Sequence, residues 1–285
     1  MGPERQGAGP IVTVSGPVTV DGAKPTARQR AILAGLALHG DVGATTDVLI
    51  DLVWAGRPPS AARQSLQNQV TRLRRRFGAG LITTDVDGYR LGADTDLRRF
   101  ETAAVPLVDG PVHGGAVAML SDALALWNGT PYVDLYDHVP AEAERNRLVE
   151  LHALTEEHLA ASRLAAGDTA MATADLSALV TADPYRERRW VLLVLAHHLA
   201  GRNADALAAY DRAVAVFEGD LHSSTSPVFA LMRERIASGG SIALADLEDV
   251  AAPSVLGDAD ANRRARTHRR SHAPRCRRHS VRTAN

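Results

Sequence analysis

Between residues 61 and 77, Gln64, Gln67, Asn68, Thr71, Arg72 and Arg75 recur at the three- and four-residue spacing of one helix face, among five arginines and no acid. Amide, hydroxyl and guanidinium groups are the side chains that exchange hydrogen bonds with base edges in a major groove, while neighbouring guanidiniums hold phosphates. Across the same helix, Leu66, Val70, Leu73 and Phe77 form one narrow stripe that must meet a core. That assignment turns Gln64, Asn68, Thr71 and Arg75 outward, flanked by Gln67 and Arg72. Arg63, Arg74 and Arg76 lie nearer the packed edge, from which long side chains reach round. A helix face made basic for solubility alone has the same pattern, so the surrounding elements decide.

Residues 11–14 and 17–20 are β-prone runs split by Ser15-Gly16, with Asp21-Gly22 as a second turn. Helical periodicity then runs from residue 26 to about 39, with Ile32, Leu33, Leu36 and Ala37 on one stripe and Gly40 as the stop. A second helix starts at Thr45 or Thr46, buries Leu49, Ile50, Leu52 and Val53, and closes at Trp54. Pro58 and Pro59 make residues 55–60 a loop. After the third helix, residues 81–84, a turn at Asp87-Gly88 and residues 89–91 form a hairpin. Three helices followed by a hairpin make a winged helix-turn-helix, whose wing brings Arg90 to a minor groove or a phosphate while Tyr89 packs on the third helix. The expected DNA-binding set is therefore Arg63, Gln64, Gln67, Asn68, Thr71, Arg72, Arg75, Arg76 and Arg90.

From residue 95 onward the pattern is helical nearly throughout, over 97–107, 112–127, 141–166, 169–181, 186–200, 204–217 and 227–237, broken where Gly or Pro intervenes. At an offset of 34, Leu159 matches Leu193, Gly167 matches Gly201, Ala172 matches Ala206 and Val180 matches Val214, the tetratricopeptide period. Such repeats stack into a surface that holds other polypeptides and requires no catalysis. Trp127, Tyr185, Trp190 and Tyr210 read as core, and His197 and His198 as packed or hydrogen-bonded rather than ligating. The expected fold class is mainly α: an N-terminal winged helix-turn-helix with a small β-sheet and wing hairpin, then an all-α tetratricopeptide-like domain. The expected boundaries are a disordered segment 1–10, a DNA-binding domain 11–93, a helical domain 94–238, and a linker with an Arg-rich tail 239–285.

Charge divides the 285 residues in the same way. Residues 1–92 carry +4, residues 93–262 carry −14 and residues 263–285 carry +9. The basic ends suit a polyanion and the acidic middle repels one. A lone Cys276 excludes an internal disulfide, and the absence of a signal-like start or a long apolar run points to a soluble, cytoplasmic protein with no membrane segment. No phosphate loop, HExxH, GxSxG or paired-cysteine spacing occurs, so no catalytic residue, cofactor or metal is expected. His268, His272, Cys276 and His279 have ligand-like spacing, but among nine arginines they read as part of a flexible arm that adds nonspecific DNA affinity, or as an extension without a role.

Residues 27–34, 49–54, Pro58-Pro59, residues 65–67, 70–75 and Gly88-Tyr89-Arg90-Leu91 together resemble the Streptomyces antibiotic regulatory proteins, in order from about residue 11 to 237. The resemblance implies a winged helix of the response-regulator type followed by a bacterial transcriptional activation domain. The chain departs from the family at Ala55-Gly56-Arg57, where acidic residues are usual, and at His222, where glycine is usual. The implied function is a nucleoid-associated transcriptional activator of an antibiotic-type gene cluster, binding double-stranded DNA at direct repeats as a homodimer and recruiting RNA polymerase holoenzyme. The alternative from another class is a helical-repeat adaptor whose winged helix does not read DNA. Counterion release distinguishes the two, because only the first loses affinity steeply with salt.

Overall fold

A computed structural model describes residues 10–244. The expectations for residues 1–9 and 245–285, including those for His268, His272, Cys276 and His279, lie outside the described residues. Strand β1 (Ile11–Thr13) pairs antiparallel with β2 (Thr19–Val20), Val12 opposite Val20. Three helices follow: α1 (Ala27–His39), α2 (Thr46–Trp54) and α3 (Ala62–Phe77). Gln29 Oε1 accepts from the Thr26 N–H at 3.1 Å, and Thr45 Oγ1 from the Val48 N–H at 3.3 Å, so polar side chains satisfy donors that α1 and α2 leave open. In α2 only Leu49 is fully buried; Ile50, Leu52 and Val53 are half-buried, a shallower packing than the sequence suggests.

A second sheet is ordered β3-β5-β4, with β3 (Ala44–Thr45), β4 (Ile82–Thr84) and β5 (Gly88–Leu91). The β4–β5 hairpin is the expected wing, and β3 is an addition that two residues cannot announce in a sequence. It also changes the meaning of Gly88. This glycine does not have a left-handed backbone; a Cβ there would stand 2.1 Å from the Ala44 carbonyl oxygen. Glycine is required because β3 passes so close, not because of the turn.

The first sheet does not end at residue 93. Strand β6 (Asp94–Thr95) adds to it parallel to β1, and Thr95 Oγ1 accepts from the Arg98 N–H to start α4 (Asp96–Val108). Asp96 is buried, and its carboxylate accepts from the N–H groups of Val14 (2.7 Å), Ser15 (3.1 Å) and Leu97 (2.9 Å) and from the Ser15 hydroxyl. Asp134 accepts from the Val18 N–H at 2.8 Å and from Arg30 Nε at 2.7 Å, and Arg98 pairs with Asp41. Tyr132, Leu135, Ala141 and Leu148 join Val12, Leu33 and Leu36 in a single apolar cluster. The winged helix and the helical half thus share one core.

The rest is a helical stack: α5 (Val117–Leu124), the long α6 (Val139–Ala165), α7 (Thr169–Ala182), α8 (Glu187–Leu199), α9 (Asn203–Asp220) and α10 (Pro227–Ala237). Helix α5 is shorter than the expected 112–127. Gly114 must sit so close to α6 that a Cβ would meet Ala166 at 2.9 Å, and a 3-10 turn, Gly114–Ala116, replaces the first helical turn. At its other end tight bonds from Leu126 N–H to Ala123 O and from Trp127 N–H to Leu124 O swing Trp127 onto Phe100, with ring centroids 5.2 Å apart.

The 34-residue repeat appears as equivalent helix ends. After α6 the N–H of Gly167 bonds Leu164 O and that of Asp168 bonds Arg163 O; after α8, Gly201 bonds His198 O and Arg202 bonds His197 O. Ala172 and Ala206 are both fully buried where the next helix approaches. Between α6 and α8, buried Glu157 accepts from Arg186 Nε at 2.6 Å and Arg189 Nε at 3.3 Å. Trp190 and Tyr210 are core as expected and Trp127 is half-buried. Tyr185 is not core. It is 51% exposed in the connection before α8, where its N–H bonds Asp183 Oδ1. His197 is buried, and His198 Nδ1 lies 2.9 Å from Asn203 Oδ1. The backbone at His222 is left-handed, with φ 52°, so the turn keeps the conformation for which glycine is usual.

Candidate nucleic-acid interface

Leu66, Val70 and Leu73 of α3 are buried against the winged-helix core, and Phe77 is half-buried. This seating turns the opposite face out. Gln64, Gln67, Asn68, Thr71, Arg72 and Arg75 are all exposed, and neither the first sheet nor the helical half covers them. Gln64 Nε2 donates to Asn68 Oδ1 at 3.3 Å, and Thr71 Oγ1 donates to the Gln67 carbonyl at 2.9 Å, one turn back. Both contacts are exposed and exchangeable with base edges. Arg72 and Arg75 have no hydrogen-bond or ion-pair partner among the described residues.

The flanking arginines are held. Arg63 Nη2 donates to Asp47 Oδ1 at 3.0 Å, from the first turn of α3 to the first turn of α2. Arg90 Nη2 on the wing donates to Asp85 Oδ2 at 2.7 Å. The Asp85 carboxyl lies below its ordinary range because the Val86 N–H and the Arg90 guanidinium both donate to its charged form. The Arg76 guanidinium sits 4.7 Å from the centroid of the Phe77 ring, and its Nη1 donates to the Lys24 carbonyl at 3.4 Å. Arg76 is thereby drawn toward the N-terminus of α1, where Lys24 and Arg28 are also exposed. Of the nine residues read from the sequence, six share the open face of α3, Arg63 and Arg76 mark its two ends, and Arg90 lies across a gap on the wing.

Three groups that shape this surface are not in the set read from the sequence. Arg74 is not a reading residue. Its Nε donates to Ile82 O and its Nη2 to Thr84 Oγ1, each at 2.9 Å, and its guanidinium lies 5.9 Å from the Tyr89 ring centroid, so it clamps the wing to α3. Tyr89 itself is buried, as the sequence indicated. Asp47 and Asp85 are the other two; the first lies 16 residues from its partner, a separation that no periodicity marks. Only the Asp85–Arg90 pair, set five residues apart around a hairpin turn, was open to inference.

Chemically, the open face offers amides and guanidiniums that can pair bidentately with adenine and guanine edges, each such pair discriminating by about 1–3 kcal/mol. Among the described residues no group of three or more His, Cys, Asp or Glu is placed to hold a metal, and no helix is long and apolar enough to cross a membrane.

Comparison with known proteins gives this surface its context. The bacterial transcriptional activator domain family matches residues 95–237. The transcriptional regulatory protein EmbR of Mycobacterium tuberculosis is 34% identical over 234 residues, covering 77% of this chain and 60% of EmbR. The regulatory protein AfsR of Streptomyces coelicolor is 33% identical over 239 residues, 80% of this chain and 24% of AfsR. The chain therefore spans less than two thirds of EmbR and about a quarter of AfsR. The solved structure of Mycobacterium tuberculosis EmbR in complex with a low-affinity phosphopeptide superposes with a TM-score of 0.74 at 30% identity, covering 89% of this chain and 71% of that one. With a winged helix ahead of a matched activator domain, and relatives named as transcriptional regulators, the chain belongs to the Streptomyces antibiotic regulatory protein family, the regulators that carry a bacterial transcriptional activator domain.

Proposed function

We propose that the chain is a sequence-specific DNA-binding transcriptional activator, cytoplasmic and nucleoid-associated, whose α3 enters the major groove. Residues 11–93 serve as the DNA-binding domain and residues 94–238 as the activation domain. Gln64, Gln67, Asn68, Thr71, Arg72 and Arg75 read bases or phosphates, while Arg63, Arg76 and Arg90 contact the backbone at the edges. The single observation that carries this reading is the exposure of all six central residues on a helix whose apolar stripe is buried. Relatives named as regulators support the role, and the acidic helical half supports contacts with protein rather than with nucleic acid. Two protomers side by side on directly repeated half-sites, RNA polymerase holoenzyme as the recruited partner, and promoters of an antibiotic-type gene cluster complete the proposal.

The test is binding of the full chain to labelled duplex with competitor DNA, as a function of salt. Arg72→Ala and Arg75→Ala should each weaken binding by about 1–3 kcal/mol, roughly five- to 150-fold, without altering the unfolding midpoint. Unchanged affinity in both variants would remove α3 as the reading element. An adaptor would show neither a steep salt dependence nor a sequence preference that survives competitor.

A further inference from the structure

Arg63 and Arg90, at one end of the reading face and on the wing, differ from Arg72 and Arg75 in one respect: each already holds a carboxylate. Arg63 is paired with Asp47 and Arg90 with Asp85, whereas Arg72 and Arg75 have no such partner among the described residues. Asp47, Arg63, Asp85 and Asp87 line one shallow cleft between the wing and the starts of α2 and α3, and Arg90 is bonded to one of them, Asp85. The cleft thus sets three carboxylates against one guanidinium, that of Arg63, while the rest of the reading face carries no acid. Asp47 is held in place from a second side, because a carboxylate in the first turn of α2 faces the positive end of that helix. At the wing tip Val86 is 94% exposed between Asp85 and Asp87, a tip that a phosphate backbone repels.

We propose that Asp47 and Asp85 are specificity-determining residues. They occupy Arg63 and Arg90 in place of phosphate, and they surrender them only when the base contacts of α3 have seated the helix. The inference rests on the reading of α3 as the DNA-binding element. On a duplex of the wrong sequence, α3 is not seated, the carboxylates keep their guanidiniums, and two fewer phosphates are neutralised. On the right sequence the seated helix brings phosphate within reach, and the exposed ion pairs, weak and screened as such pairs are, exchange. The device lowers nonspecific affinity more than specific affinity, and discrimination between sequences is a ratio of the two.

The experiment measures binding of the full-length chain and its Asp47→Asn, Asp85→Asn, Arg90→Ala, Asp85→Asn/Arg90→Ala and Arg72→Ala variants over a salt series. One probe is a fluorescein-labelled duplex of random sequence; the other is a duplex enriched from a random pool by the unaltered chain. Asp85→Asn and Asp47→Asn should each raise affinity for the random duplex about three- to tenfold and steepen its log-log salt slope by about 0.9, the value for one further phosphate contact. Affinity for the enriched duplex should rise less, so the ratio between the two falls. The gain in Asp85→Asn should vanish in the double variant. A gain that persists without Arg90 would mean that removal of an acid, not release of the arginine, is responsible, and would overturn the proposal. Unchanged random-duplex affinity and slope in both Asn variants, alongside weakened binding in Arg72→Ala, would overturn it while leaving the reading of α3 intact. Full affinity for both probes in Arg72→Ala, and in Arg75→Ala measured beside it, would remove that reading and this inference with it.

Discussion

His152 shows how a single residue makes the helical half sensitive to acid. Its ring stacks on Trp127 with centroids 4.4 Å apart, and Glu156 lies 3.8 Å from its Nδ1. A carboxylate at that range favours the imidazolium, but burial opposes it more strongly and Arg189 adds like-charge repulsion, so the folded-state pKa drops from 6.5 to about 4. Burial likewise pushes down the pKa values of His138, His158 and His197. At these histidines the unfolded chain therefore binds more protons than the folded chain between pH 6.5 and 4, so their contribution to stability falls as pH drops through that window, opposed in part by Glu156, whose carboxyl pKa is pushed up by burial. His152 contributes about 2 kcal/mol of the loss, once its partial exposure is allowed for. Urea unfolding at a series of pH values checks this. The midpoint should fall steadily below pH 6.5, and His152→Phe, which keeps the stacking, should flatten the fall; equal slopes in the two proteins would reject the assignment.

At the scale of elements, the paired helix ends after α6 and α8 make a quantitative case for the repeat. Gly167 and Gly201 have φ values of 81° and 73°, and no neighbouring atom crowds either position, so an added Cβ meets only backbone strain. Gly167→Ala and Gly201→Ala should each cost about 1–2 kcal/mol, and the double variant their sum, since the ends are separated by a full repeat. Chemical denaturation of the three variants measures it; a cost at one site only would mean that the two ends are not equivalent. These ends were legible in the sequence because glycine and small residues recur there at a fixed offset. The helices were legible because each is long enough to show a 3.6-residue period, and the open face of α3 followed from its buried stripe alone. Strands β3 and β6 were not legible, because two residues cannot display alternation. Nor was the Asp47–Arg63 pair, since its members meet only after α2 and α3 have packed.

At the scale of the whole described chain, the covalent boundary between the winged helix and the helical half is not a mechanical one. Strand β6 belongs to the first sheet, and Asp96, the next residue after it, satisfies two backbone N–H groups and a hydroxyl of the loop after β1. Asp134 and Arg30 repeat the link from the other side. An amide in place of Asp96 keeps one oxygen to accept from the Val14 and Leu97 N–H groups but sets its own donor against the Ser15 N–H, which loses its charged partner at a cost of about 2–4 kcal/mol. If the two halves unfold as one, that cost must fall on both. Asp96→Asn should lower the thermal midpoint by roughly 5–10 °C for a unit of this size. Single-tryptophan variants that retain only Trp54, in the winged helix, or only Trp190, in α8, should report the same midpoint before and after the substitution. A midpoint that moves for one tryptophan and not for the other would show that the halves are separately stable and that the shared core does not couple them. Under the proposed reading of α3, a coupled result has a direct consequence for regulation: a protein that grips the acidic helical half would be held at a fixed angle to α3, so the spacing between operator and promoter, rather than a hinge in the chain, would set whether the grip is productive.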